Sequence, residues 1–175
     1  MFIYKDKRFF LQLYKQFVRC HLEFAIPAWS PWLAGDIEVL EKVQKRAVNI
    51  ITGLHSTTYE EKLKELNLRT LAERRNRIDM VETFKILKGF SNVKSSTWFN
   101  VVDPNIHRMT RSTEYPLNIV GSISNTDIRR NFFSNRIVNT WNGLPNSIKD
   151  STTTVKMFKS RLDQINRYLI ISVPG

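Results

Sequence analysis

The 175-residue sequence holds one cysteine, Cys20, and three scattered histidines, His21, His55 and His107. A lone thiol cannot close an internal disulfide, and this set cannot assemble a cysteine-rich zinc site, which points to a reducing compartment. No Asp-Asp pair occurs, so the simplest local source of carboxylates for two-metal phosphoryl chemistry is missing. Asp36, Glu38 and Glu41 lie close together, but on the first turns of an expected helix, where acids suit its dipole. His21 and Glu23 form an H-x-E that a helix directs to different faces, and a zinc deaminase would need a downstream C-x-x-C. Neither a glycine-rich phosphate loop nor a nucleophile elbow occurs. The expectation is a chain that is no enzyme by itself and has no catalytic residue, metal, cofactor or small-molecule substrate.

Long apolar runs are also lacking. The opening "MFIYKDKRFFLQLYKQFVRC" is interrupted by Lys5, Asp6, Lys7 and Arg8, and the closing "RYLIISVPG" is too short to cross a bilayer. An intracellular protein, cytoplasmic or nuclear and without a membrane partner, is expected. Glycine and proline number only six each, and 42% of residues are hydrophobic, so the chain should fold into a globular body.

Positive charge is abundant. Lys and Arg total 27 against 16 Asp and Glu, a formal charge of +11. The excess is spread over both ends with no dense tail, which places it on structured elements and favours polyanions, above all nucleic acid.

Apolar spacing predicts mainly helix. Phe10, Leu13, Phe17, His21 and Phe24 suggest a helix over about 6–24, ended by Pro27 and Pro31, with Trp29 and Trp32 packed at the elbow and Cys20 buried. Asp36 reads as an N-cap of a helix ending at Gly53. Ile37, Leu40, Val43, Ala47, Ile50 and Ile51 form its apolar stripe, and Lys42, Lys45, Arg46 and Asn49 its opposite side. Thr58 with Glu61, then Thr70 with Glu73, have capping-box spacing and predict two further helices, the second ending at Gly89. Residues 91–131 turn Ser-, Thr- and Asn-rich, with a short strand near Leu117–Val120 and a hairpin partner near Met109–Ser112. Phe132 to Trp141 suggest a helix closed by Gly143 and Pro145, and a last helix covers about 153–170. The fold class is therefore mainly α: a helical region at 1–90, an irregular connector at 91–131 that holds the hairpin, and a second small helical lobe at 132–175.

Several arginines stand out. Arg74, Arg75 and Arg77 occupy first turns, where positive charge opposes the helix dipole. Phosphate contact and pairing with Glu73, Asp79 and Glu82 are both open readings. Arg129, Arg130 and Arg136 flank Phe132 and Phe133. The rings recur with Trp141 at core spacing, while the arginines remain open to phosphate.

The stretches "FLQLYKQFVRCHLEFAIPAWSPWLAGDIEVLEKVQKRAVNIITGL", "YEEKLKELNLRTLAERRNRIDMVETFKILKG", "RRNFFSNRIVNTWNGLPNSI" and "FKSRLD" run in the order found in a known family. They resemble the region downstream of the polymerase palm in reverse transcriptases of non-LTR retrotransposons, of the jockey and chicken-repeat kind. The resemblance implies a helical thumb that holds an RNA or DNA–RNA duplex by its backbone without reading sequence. It also implies fingers and palm, with the paired aspartates, upstream in the same polyprotein. Lys42, Lys45 and Arg46 fall in the matching thumb helix. Arg74, Arg75, Arg129 and Arg136 match positions that are basic in the family. The alternative is a non-catalytic helical scaffold or protein-interaction module.

Overall fold

A computed structural model describes residues 6–52, 58–102, 117–149 and 154–171, with side chains to Ile165. The mainly α fold is observed. The elements are α1 (Lys7–Leu13), a π-turn (Tyr14–Val18), α2 (Arg19–Glu23), α3 (Ile26–Trp29), α4 (Ala34–Thr52), α5 (Tyr59–Glu65), α6 (Leu71–Leu87), α7 (Ser95–Trp98), β1 (Asn100–Val101), β2 (Ile119–Val120), α8 (Asp127–Arg130), α9 (Phe133–Arg136), α10 (Val138–Asn142), α11 (Asn146–Lys149) and α12 (Val155–Ile171). The chain separates into two compact units, 1–76 and 77–175. The division falls inside α6, not at the change of composition near residue 90. From Met80 onward α6 buries its apolar side chains in the second core, which draws that part of the helix into the second unit.

In the first unit, Asp6 caps α1 by accepting from the Arg8 backbone N–H at 2.9 Å. The helical course then opens into the π-turn, where the Arg19 N–H reaches the Tyr14 carbonyl five residues back. That wider turn breaks the expected stripe. Tyr14 is buried, but Phe17 and Phe24 are 64% and 76% exposed. Cys20, expected inside, is exposed, and its Sγ–H donates to the Gln16 carbonyl. Trp29 and Trp32 are also exposed at the elbow, where the Trp29 indole N–H donates to the Phe24 carbonyl.

The long helix α4 begins at Ala34, so Asp36 lies in its first turn rather than at the cap. Its inward face is Gln44, Val48 and Ile51, packed with Tyr14, Leu63, Leu66 and Leu68, whereas Val43 and Ile50 point out. Gln44 displaces an apolar residue because its amide is fully used. Oε1 accepts from Tyr14 Oη at 2.6 Å, and Nε2 donates to Tyr59 Oη at 3.0 Å and to the Arg69 carbonyl at 2.9 Å. A buried polar group so satisfied costs little. Burial pushes the phenols of Tyr14 and Tyr59 well above the ordinary tyrosine range.

The Thr58–Glu61 capping box is present with both of its hydrogen bonds. α5 ends in a Schellman motif: Asn67 is left-handed (φ 49°), its N–H meets the Lys64 carbonyl at 3.1 Å, and the Leu68 N–H meets the Leu63 carbonyl at 2.8 Å. Thr70 Oγ1 accepts from the Glu73 N–H at 3.2 Å, and the Glu41 carboxylate takes the Leu71 N–H at 3.1 Å, placing an anion at the start of α6.

In the second unit α6 ends as expected at Gly89 (φ 72°), again in a Schellman motif, with the Phe90 N–H on the Lys85 carbonyl and the Phe90 ring stacked near Phe84. The core gathers Phe84, Phe99, Phe133, Ile137, Trp141, Phe158 and Leu162, with Phe84 and Phe158 stacked at 4.2 Å. The expected helix from Phe132 is broken into α9 and α10, which bury Phe133 and Trp141 while leaving Phe132 half-buried. The strand near 117–120 is observed as β2, paired antiparallel with β1 through Asn100 opposite Val120. Its expected partner at Met109–Ser112 lies outside the described residues, as do Gly53, His55 and His107.

Candidate nucleic-acid interface

Helix α4 turns about 100° per residue, which puts Lys45, Lys42 and Arg46 within an arc of about 100°, largely away from Gln44, Val48 and Ile51. All three are exposed. Lys42 meets Glu38 one turn earlier at 3.2 Å, a solvated pair whose side chains are 63% and 60% exposed and which contributes little. Lys45 lies over the Tyr59 ring at 5.3 Å, a contact that steadies the ammonium without neutralising it. The arrangement is an open cationic strip on a helix whose other side is held by buried hydrogen bonds. Val39, Val43 and Ile50 border it as exposed apolar residues.

The other sequence candidates go elsewhere. Arg74 grips Glu23 with Nε and Nη2, the latter at 2.8 Å. Arg75 is only 5% exposed, so its side chain is not offered to an external backbone. Arg77 holds Asp163 through two bonds, at 2.8 and 2.9 Å. Glu82 pairs with Lys85 one turn on, and Asp79 pairs with Arg136 over long range. Arg136 is bidentate on Asp79, at 2.9 and 3.0 Å, and also donates to the Asn131 carbonyl. Arg130 pairs with Asp127 at 2.9 Å on the surface. Arg129 is exposed, with its guanidinium 5.8 Å from the Phe132 ring centroid. Of the eight candidates, Lys42, Lys45 and Arg46 cluster on α4, Arg129 and Arg130 are exposed in the second unit, and Arg74, Arg75 and Arg136 are drawn into the fold.

Two basic residues of the first helix, Lys15 and Arg19, read from the sequence only as its polar face and not as site candidates. Arg19 shares Glu23 with Arg74, at 3.6 Å, and Lys15 is close enough to feel both guanidiniums. Burial, then the neighbouring positive charges, hold Lys15 and Arg19 below their ordinary ranges. One carboxylate thus faces an excess of half-buried cations. The i, i+4 spacing of Lys15, Arg19 and Glu23 was the available signal, hidden because the π-turn changes which residues meet.

Among the described residues, no group of three or more His, Cys, Asp or Glu side chains is arranged to hold a metal ion, and no helix is long and apolar enough to cross a membrane. Comparisons with protein-family models, with curated proteins and with solved structures find no match.

Proposed function

We propose that the chain is the thumb and downstream part of a non-LTR retrotransposon reverse transcriptase, holding a template–primer duplex by its backbone while upstream fingers and palm carry out catalysis. The observation that supports this most is the strip of Lys42, Lys45 and Arg46, three exposed cations on one side of a helix anchored on the other by the Tyr14–Gln44–Tyr59 hydrogen bonds. Lys42 and Arg46 are about 6 Å apart along the axis, so neighbouring side chains meet successive phosphates rather than base edges. The excess of 11 positive charges draws in a polyanion from a distance. The reading includes no polymerase activity for the chain alone, so primer extension with magnesium should yield no product.

The test is charge reversal of Lys42, Lys45 and Arg46 to Glu, with the fold checked by circular dichroism and duplex binding by fluorescence anisotropy. Loss of binding with the fold intact supports the thumb reading. Unchanged binding favours the second reading, a non-catalytic helical scaffold or protein-interaction module, which draws on the exposed apolar residues Phe17, Phe24, Trp32 and Val39 of the first unit.

A further inference from the structure

In the second unit, α7 with β1 faces the segment from Ser122 to Ser134 across a cleft of about 320 Å³. Its lining combines two aromatic rings, Trp98 and Phe132, with the guanidinium of Arg129 and the hydroxyls of Ser96, Thr97 and Ser134. The rings stack on each other, 10° apart with centroids at 5.9 Å, so they bound the cleft as one aromatic pair, and both are half-buried. Behind them Phe133, 1% exposed, takes Trp98 edge-on at 6.0 Å and Phe99 at 5.6 Å, so the core fixes the pair. Asn135 ties the cleft's polar edge: its Oδ1 accepts from the Ser122 N–H at 3.0 Å, and its Nδ2 donates to the Arg129 carbonyl at 2.8 Å. Among the described residues the Arg129 guanidinium meets a ring and no carboxylate, in contrast to Arg130 on Asp127 and Arg136 on Asp79.

We propose that this cleft holds one unpaired nucleotide, its base against the outer, cleft-facing surface of the Trp98–Phe132 pair and its phosphate at Arg129 and the adjoining hydroxyls. Each part of such a ligand has a counterpart. A base offers a π-face to the rings whatever its identity. A planar guanidinium matches phosphate oxygens two at a time. Serine and threonine hydroxyls serve as donors or acceptors for sugar and phosphate alike. The volume is at the lower end of small-ligand sites, which suits a single nucleotide. The ligand is a nucleoside phosphate, either free or as one residue of a single strand. The site uses none of the α4 residues, so it stands or falls separately from the duplex strip.

The experiment is a titration of the full chain, followed by amide NMR, with AMP, with inorganic phosphate, with a phosphoserine peptide and with a short single-stranded RNA. AMP is expected to shift residues 96–98, 122 and 129–134, with RNA binding more tightly at the same residues if its source is a strand and AMP more tightly if it is a free nucleotide. Phe132→Leu should weaken AMP binding about five- to a hundredfold, the range for loss of a base stack. Arg129→Glu, at an exposed position that the fold does not require, should abolish it. The Lys42, Lys45 and Arg46 reversal should leave AMP binding unchanged. The proposal is overturned if millimolar AMP causes no shift at the cleft or if both single variants bind AMP as the parent does. It is overturned equally if inorganic phosphate or the phosphopeptide binds there as tightly as AMP.

Discussion

Arg136 holds both carboxylate oxygens of Asp79 across 57 residues of chain, with the two side chains only 18% and 6% exposed. Removing the cation leaves a buried carboxylate with its main counter-charge gone. Arg136→Ala should destabilise the protein by about 3–5 kcal/mol, and Arg136→Lys, which cannot form the fork, by a smaller but clear amount. Chemical denaturation measures both. The Asp79→Ala, Arg136→Ala double variant should lose less than the sum of the singles, and strict additivity would contradict the pairing.

Gln44 is the polar centre of the first unit. Gln44→Leu keeps roughly the volume but takes the amide away from the Tyr14 hydroxyl and the Arg69 carbonyl, so a loss of about 2–6 kcal/mol is expected, at about 1–3 kcal/mol for each of the two groups. Tyr14→Phe in the Gln44→Leu background should recover part of that loss, because it removes one of the stranded groups. No recovery in thermal unfolding would argue against the bond.

Alkaline pH offers a separate check. The Tyr14 and Tyr59 phenols are raised from 10.0, so in the folded protein they remain neutral where the unfolded chain already ionises. The unfolded state then binds fewer protons, and stability falls as pH rises beyond about 10. Below that pH their contribution is complete. Replacing both with Phe should flatten the alkaline limb of stability against pH, and an unaltered limb would sink the assignment.

Asn67 closes α5 in a left-handed conformation that glycine adopts without strain. Asn67→Gly should be close to neutral, while Asn67→Ala should cost about 1 kcal/mol. Equal midpoints for the two variants in urea would show that the motif does not govern this helix end.

For the proposed duplex strip, three neutralised phosphates give a slope of log affinity on log salt of about −2.7. Charge reversal should remove at least that much of the slope. A salt-independent affinity would rule out the electrostatic grip.

These features were unequally legible in the sequence. Thr58 with Glu61, and Gly89, act on backbone groups a few residues away, so their spacing alone announced the helix ends. Asn67 went unnoticed because asparagine marks turns, caps and loops alike. The partners of Arg74, Arg77 and Arg136 lie 51, 86 and 57 residues away, and a linear pattern carries no signal for such a choice. On α4, hydrophobicity favoured Val43 and Ile50 for the core and could not reveal that Gln44 would be satisfied there by two tyrosines from other segments. The cleft draws six of its eight lining residues from the 91–131 stretch that reads as an irregular connector, so Trp98 and Ser96 attracted no notice beside the arginines across from them.

Beyond Tyr14, whose hydroxyl is held by Gln44, the π-turn at Tyr14–Val18 makes this stretch sensitive to length more than to identity. Removing any one of its residues would restore an ordinary helical register and rotate Arg19–Glu23 by about 100° relative to α1. Glu23 would then swing out of reach of Arg74, even though no atom of either side chain had been altered. Substitutions at exposed Gln16 or Phe17 should pass with little effect, whereas a one-codon deletion beside them should be poorly tolerated. The segment works as a spacer of fixed count.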